Sequence, residues 1–269
     1  MSGISGVISS HAVSHTWKML AAASFFIGIS ITGLAAAETP DISGDLQITK
    51  TLDELLGAED ADRYRDIISP KKSITWDVYI PKNASTEPPG VMVYISPVRT
   101  GQIDYRWREV MDRQNLVYIS ANSSGNRKTV KLRVVLAVMG LKALGQQIPL
   151  AADRVYVSGF SGGGRVASYV ASQFPELFTG AIYICGADFW KQEYSPKVEL
   201  MLPNRFVFVT GSKDFNRDET RAVYRRYLDA GAVNSKLMVI PGMAHEKPGK
   251  QDLIEALDYL GASSPSVSG

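Results

Sequence analysis

Apolar and polar positions alternate with a period of two at Ile74, Trp76, Val78 and Ile80, set against Thr75, Asp77 and Tyr79. That period predicts a half-buried strand, and Pro81 with the 83–89 stretch reads as the turn that follows it. Downstream the pattern changes to short, nearly continuous apolar runs at 91–95, 116–119, 155–157, 181–185, 206–209 and 237–240. Such runs have no polar position to face water, so they predict strands buried on both faces of a sheet. Between them, apolar residues recur at helical spacing over 105–113, 130–144, 163–174, 219–230 and 251–260. Strand and helix therefore alternate. This predicts an α/β domain with a mainly parallel sheet, helices on both faces, and ligands gathered beyond the carboxyl ends of the strands.

The two ends of the chain follow other rules. Residues 1–37 hold no acidic side chain and one lysine, Lys18, before an apolar run over 19–37 that closes on Ala35-Ala36-Ala37. That is the layout of a signal peptide cut between Ala37 and Glu38. The alternative is an uncleaved anchor, because about 19 apolar residues are just long enough to span a bilayer. Residues 38–72 read as an N-terminal extension, weakly helical over 52–68, with the domain occupying 73–262. The Ser-rich stretch 263–269 reads as a flexible tail. The expected protein is exported, to the periplasm or beyond the cell, with no stable membrane association once the leader is removed.

Composition narrows the function classes. With 45% hydrophobic and 21% charged residues, the chain suits one folded domain with a sizeable core. The chain carries 29 basic and 27 acidic side chains, and loss of Lys18 nearly balances them, so no global field draws it to nucleic acid. Cys185 is the only cysteine, which excludes an internal disulfide. One cysteine and few histidines also make an ordinary zinc site implausible, and no cofactor is expected.

The candidate chemistry lies in Gly159-Phe160-Ser161-Gly162-Gly163, a G-x-S-x-G pattern between a buried strand and a helix. A serine on a sharp strand-to-helix turn needs glycine two residues to either side, because side chains there would collide. The segment has neither of the glycine patterns that cradle nucleotide phosphates. Ser161 needs a base. His11 and His15 fall in the expected leader, so His245, just after the last strand run, is the base the mature chain offers. An acid must then orient the imidazole. Asp214 follows the run 206–209 and is preferred; Asp188 after 181–185 is the runner-up, and Asp218 reads as first-turn helix acid beside Glu219.

On these residues the chain resembles the α/β-hydrolase superfamily, and within it secreted esterases similar to polyhydroxybutyrate depolymerases and feruloyl esterases. The resemblance runs over 73–260, and its most specific block spans 153–186, including Arg154-Val155-Tyr156-Val157 and Phe174-Pro175-Glu176-Leu177-Phe178. It implies an α/β-hydrolase fold, a Ser161, His245, Asp214 triad, and hydrolysis of a small-molecule or polymeric ester through an acyl-enzyme. Those esterases carry His-Gly after the strand corresponding to 91–95, where this chain has Ser96-Pro97. Proline has no N–H to donate, so the expected oxyanion donors are Gly162 and Val98, with Arg99 as the alternative to Val98. Tyr105, Trp107, residues 122–127, Phe189 and Trp190 are expected to rim the same sheet edge; completing the core under its loops is the alternative for each of the aromatics. Two other readings stay open: a non-catalytic secreted binding protein on a hydrolase scaffold, and a serine peptidase of the same fold.

Overall fold

A computed structural model of the chain describes residues 43–82, 85–189 and 198–262. The leader expected over 1–37, Trp190 and the tail expected over 263–269 lie outside the described residues. Eight strands among those residues form one sheet: β1 (Gly44–Lys50), β2 (Ile74–Ile80), β3 (Gly90–Ile95), β4 (Leu116–Ala121), β5 (Val155–Phe160), β6 (Gly180–Ile184), β7 (Arg205–Gly211) and β8 (Ser235–Ile240). Their spatial order is β1-β2-β4-β3-β5-β6-β7-β8. β2 runs antiparallel to both its neighbours, and the pairs from β4 through β8 are parallel. Every residue of β3, β4 and β6 is buried, as continuous apolar runs demand of central strands.

The helices are α1 (Leu52–Leu56), α2 (Ala58–Asp62), α3 (Arg108–Arg113), α4 (Val130–Gly145), α5 (Gly162–Gln173), α6 (Val198–Met201), α7 (Arg217–Asp229) and α8 (Lys250–Gly261), with a 3-10 turn at Tyr105–Trp107 before α3. One face of the sheet, presenting Met92, Tyr118, Ile182 and Val207, packs on Val110 and Met111 of α3 and Leu253 and Leu257 of α8. On the opposite face the Trp76 indole donates to the Leu136 carbonyl of α4 at 2.8 Å. There, too, Tyr227 of α7 sits edge-on to Phe206 and Phe208, with ring centroids 5.1 and 5.0 Å apart.

Segment 38–72, read as an N-terminal extension, supplies the strand at one edge of the sheet. β1 pairs with β2 along its whole length, from Gly44 opposite Ile80 to Lys50 opposite Ile74. The single helical stretch expected over 52–68 is two short helices. Thr51 and Glu54 cap α1 reciprocally, with the Glu54 N–H donating to Thr51 Oγ1 at 3.2 Å and the Thr51 N–H to Glu54 Oε2 at 2.6 Å. Gly57, at φ 81°, then turns the chain into α2.

Candidate active site

Ser161 joins β5 to α5 with φ 55° and ψ −121°, outside helix and strand geometry. Its N–H donates to the Ile184 carbonyl of β6 at 2.8 Å, which fixes the turn against the neighbouring strand. The flanking glycines are needed for space: a Cβ on Gly159 would stand 2.4 Å from the Gly163 carbonyl, and one on Gly163 would stand 1.9 Å from the Ile95 oxygen. Those are backbone atoms that cannot give way, so the spacing read in the sequence has a steric cause.

The loops after β7 and β8 bring the other two residues to the serine. The Lys213 N–H donates to the Met243 carbonyl at 3.0 Å and the Gly242 N–H to Ser212 Oγ at 2.8 Å, tying the two loops together. His245 Nε2 lies 2.9 Å from Ser161 Oγ, and His245 Nδ1 lies 2.8 Å from Asp214 Oδ1. An ionised carboxylate only accepts, so Nδ1 carries the proton and Nε2 is left to accept from the serine hydroxyl.

The Asp214 side chain is fully buried, and burial alone would raise its pKa. Donation from the Asn216 N–H at 3.0 Å and Thr210 Oγ1 at 2.7 Å, then from His245 and Cys185, outweighs that and holds the carboxyl below its ordinary value. The acid is thus kept charged beside the imidazole. Asp188 makes a different contact: its Oδ1 accepts from the Phe189 N–H at 2.9 Å. Asp218 pairs with Arg217 in the first turn of α7, in keeping with its reading as a helix-end acid.

Cys185, Asp214 and His245 offer ligand atoms within 4.8 Å of one another. Both imidazole nitrogens are already engaged, and the thiol lies within reach of both the Asp214 carboxylate and the Glu246 carbonyl, 3.4 Å from the latter. Burial, chiefly, pushes the thiol pKa up, so Cys185 is a protonated core group poorly suited to be a metal ligand.

The two expected oxyanion donors differ in their surroundings. Gly162 opens α5, where backbone N–H groups and the helix dipole favour negative charge. Val98 is exposed, and its N–H donates to Ser96 Oγ at 3.2 Å.

Sequence reading missed Arg133, whose buried guanidinium donates from Nη1 to the Gly162 carbonyl and from Nη2 to the Ser96 carbonyl, both at 3.1 Å. It is one of three cations of α4, with Lys131 and Lys142, and nothing in the sequence pattern singles it out. Phe215, 78% exposed, stacks on the His245 ring at 4.1 Å, and nothing in the sequence marks it. Trp107 belongs to the core: it is fully buried and donates to the Pro248 carbonyl at 3.1 Å. Tyr105 is exposed, and Phe189 packs edge-on to Tyr227.

No protein-family model matches the chain, and no curated protein matches it in sequence. Solved structures do. A thermostable esterase superposes with a TM-score of 0.55 at 17% identity, covering 80% of this chain and 60% of its own. A ferulic acid esterase gives 0.59 at 14%, covering 81% and 97%. The dipeptidyl peptidase 4 of Porphyromonas gingivalis gives 0.52 at 15%, covering 70% of this chain and 33% of its own. The chain therefore spans about a third of that peptidase and less than two thirds of the thermostable esterase. At such identities the likeness is one of fold.

Proposed function

The chain has the α/β-hydrolase fold, and on that scaffold we propose that it is an exported serine hydrolase of carboxylic esters. The observation that carries this reading is the unbroken line of hydrogen bonds from Ser161 Oγ through the His245 ring to Asp214. His245 Nε2 takes the serine proton as Oγ attacks the ester carbonyl carbon. The oxyanion is held by the Gly162 N–H and the Val98 N–H, the latter exchanging its 3.2 Å bond to Ser96 for the stronger charged acceptor. Collapse expels the alcohol, which leaves with the proton carried by His245. Water, deprotonated by the same nitrogen, then releases the carboxylic acid and restores Ser161. Asp214 keeps Nδ1 protonated and steadies the imidazolium. Export, with cleavage after Ala37, rests on the leader-like 1–37 segment.

Mature protein treated with a fluorophosphonate probe should be labelled at Ser161, and Ser161→Ala should abolish labelling. His245→Ala should lower ester turnover by about 10⁴-fold or more, since no other mature histidine can replace it. Absence of labelling would instead favour the binding-protein reading, for which the internally bonded Val98 N–H is the supporting feature. Faster cleavage of matched amides than of esters would move the assignment to a peptidase.

A further inference from the structure

The loops that follow β3 and β4 are bonded to each other beside the serine turn. The Asn126 N–H donates to the Pro97 carbonyl at 2.9 Å, the Ser123 N–H to the Arg99 carbonyl at 2.7 Å, and the Gly101 N–H to Asn122 Oδ1 at 2.9 Å. Between them opens a cavity of about 590 Å³, lined by residues 97–99 and, from the second loop, Ser123 and 125–128. One end abuts the proposed oxyanion site: Val98 lines it, and the Asn126 side-chain oxygen lies 2.4 Å from where a Cβ on Gly162 would stand.

The lining carries Arg99, Arg127 and Lys128 and no acidic residue. All three are exposed, and among the described residues their charged groups have no ion-pair partner. Three uncompensated cations converging on one concave wall repel each other, and an anion relieves that repulsion. Guanidinium groups in particular match a carboxylate's two oxygens. Ser161, Gly162, His245 and Phe215 are not among the lining residues; the cavity comes nearest to the serine turn at Val98 and Asn126. Since His245 must hand its proton to the departing oxygen, the alcohol lies toward the imidazole and the acyl chain runs the other way.

We infer that this cavity receives the acyl part of the substrate and that the acyl group ends in a carboxylate, as in a monoester of a dicarboxylic acid. The inference rests on the serine hydrolase reading of Ser161. It is tested with the mature protein on two nitrophenyl esters of equal chain length, the hydrogen glutarate and the pentanoate. The glutarate should be favoured in kcat/KM by about 10-fold at low salt, and the preference should fade as ionic strength passes ~0.1 M. Combined Arg99→Ser, Arg127→Ser and Lys128→Ser should bring the ratio of the two esters close to one. Removing three exposed cations elsewhere, by Lys71→Ser, Arg221→Ser and Arg225→Ser, should leave that ratio in place.

Equal rates for the two esters, or a preference that survives the triple substitution in the cavity, would overturn the inference and leave the hydrolase reading standing. A preference seen only when the charge sits on the alcohol, as in acetoxybenzoate against phenyl acetate, would overturn the acyl assignment. Turnover of neither ester, together with absence of fluorophosphonate labelling, would remove the hydrolase reading and the inference with it.

Discussion

Arg133 is a buried cation whose two hydrogen bonds go to backbone carbonyls on either side of the serine turn, at Gly162 and Ser96. Its Nε has no partner, and burial lowers its pKa to about 10, so it remains protonated at neutral pH at a cost in desolvation. The return on that cost is position: a planar fork bridges two chain segments, which in the proposed mechanism must stay in register for Gly162 and Val98 to face one oxyanion. Arg133→Lys keeps a charge but reaches one carbonyl at a time. We expect kcat to fall by about 10-fold with KM little changed, since hydrogen bonds to charged groups contribute roughly 1.5–3 kcal/mol each. Arg133→Met should lose stability as well, which urea unfolding would measure. A Lys variant with unaltered kcat would reduce Arg133 to a packing residue. Ser161, His245 and Asp214 were legible from the sequence because each follows a strand run directly, and topology then brings strand ends together. Arg133 was not, since its role depends on which carbonyls a helix happens to approach, whereas the loop holding Asn126 was legible at the right sheet edge because it follows a strand run.

Helix α4 shows why element positions carry more than propensity. Gly140 lies in its middle, where alanine would ordinarily be favoured by about 1 kcal/mol. A Cβ there would stand 2.7 Å from Trp76 Nε1 and 2.9 Å from its Cδ1. Trp76 is almost wholly buried, and its N–H is committed to the Leu136 carbonyl, so the ring cannot turn aside without orphaning a donor. Overpacking of this kind costs about 1–3 kcal/mol. Gly140→Ala should therefore lower stability despite the better helix former, and a raised urea midpoint would contradict the packing argument. The same contrast separates the elements that pattern revealed from those it hid. β3 to β7 are buried between helices, and their apolar runs stand out; β8, the opposite edge, also carries an apolar run, though only Met238 of it is buried. β1 lies at the sheet edge with one buried hydrophobic side chain, Ile48, among Asp45, Gln47 and Thr49. With a partner on one side only, it needs little apolar surface and leaves little pattern. The weak helical signal over 52–68 failed differently, because Gly57 breaks it at a positive φ.

At the scale of the whole molecule, a sheet shared with esterases and a peptidase leaves the choice of substrate to loops, while the core decides the conditions under which those loops hold their shape. Tyr94, Tyr118, Tyr183 and Tyr227 are all buried, on β3, β4, β6 and α7, and burial is the main cause that raises each phenol above its ordinary value. Groups with a raised folded pKa add stability that is complete below the unfolded value, about 10, and is lost as pH climbs past it. Each contributes a slope of about 1.4 kcal/mol per pH unit there, and four together exceed 5 kcal/mol per unit, against a total stability of roughly 5–15 kcal/mol. Unfolding should therefore come within one to three pH units above 10, with tyrosinate absorbance and loss of circular dichroism rising in one step. Tyr94→Phe makes the argument specific. The Tyr94 hydroxyl has no hydrogen-bond partner, so its removal should cost nothing at neutral pH and should flatten the alkaline slope by about 1.4 kcal/mol per pH unit. Full tyrosine ionisation in a protein that keeps its circular dichroism would show instead that the core admits hydroxide without unfolding.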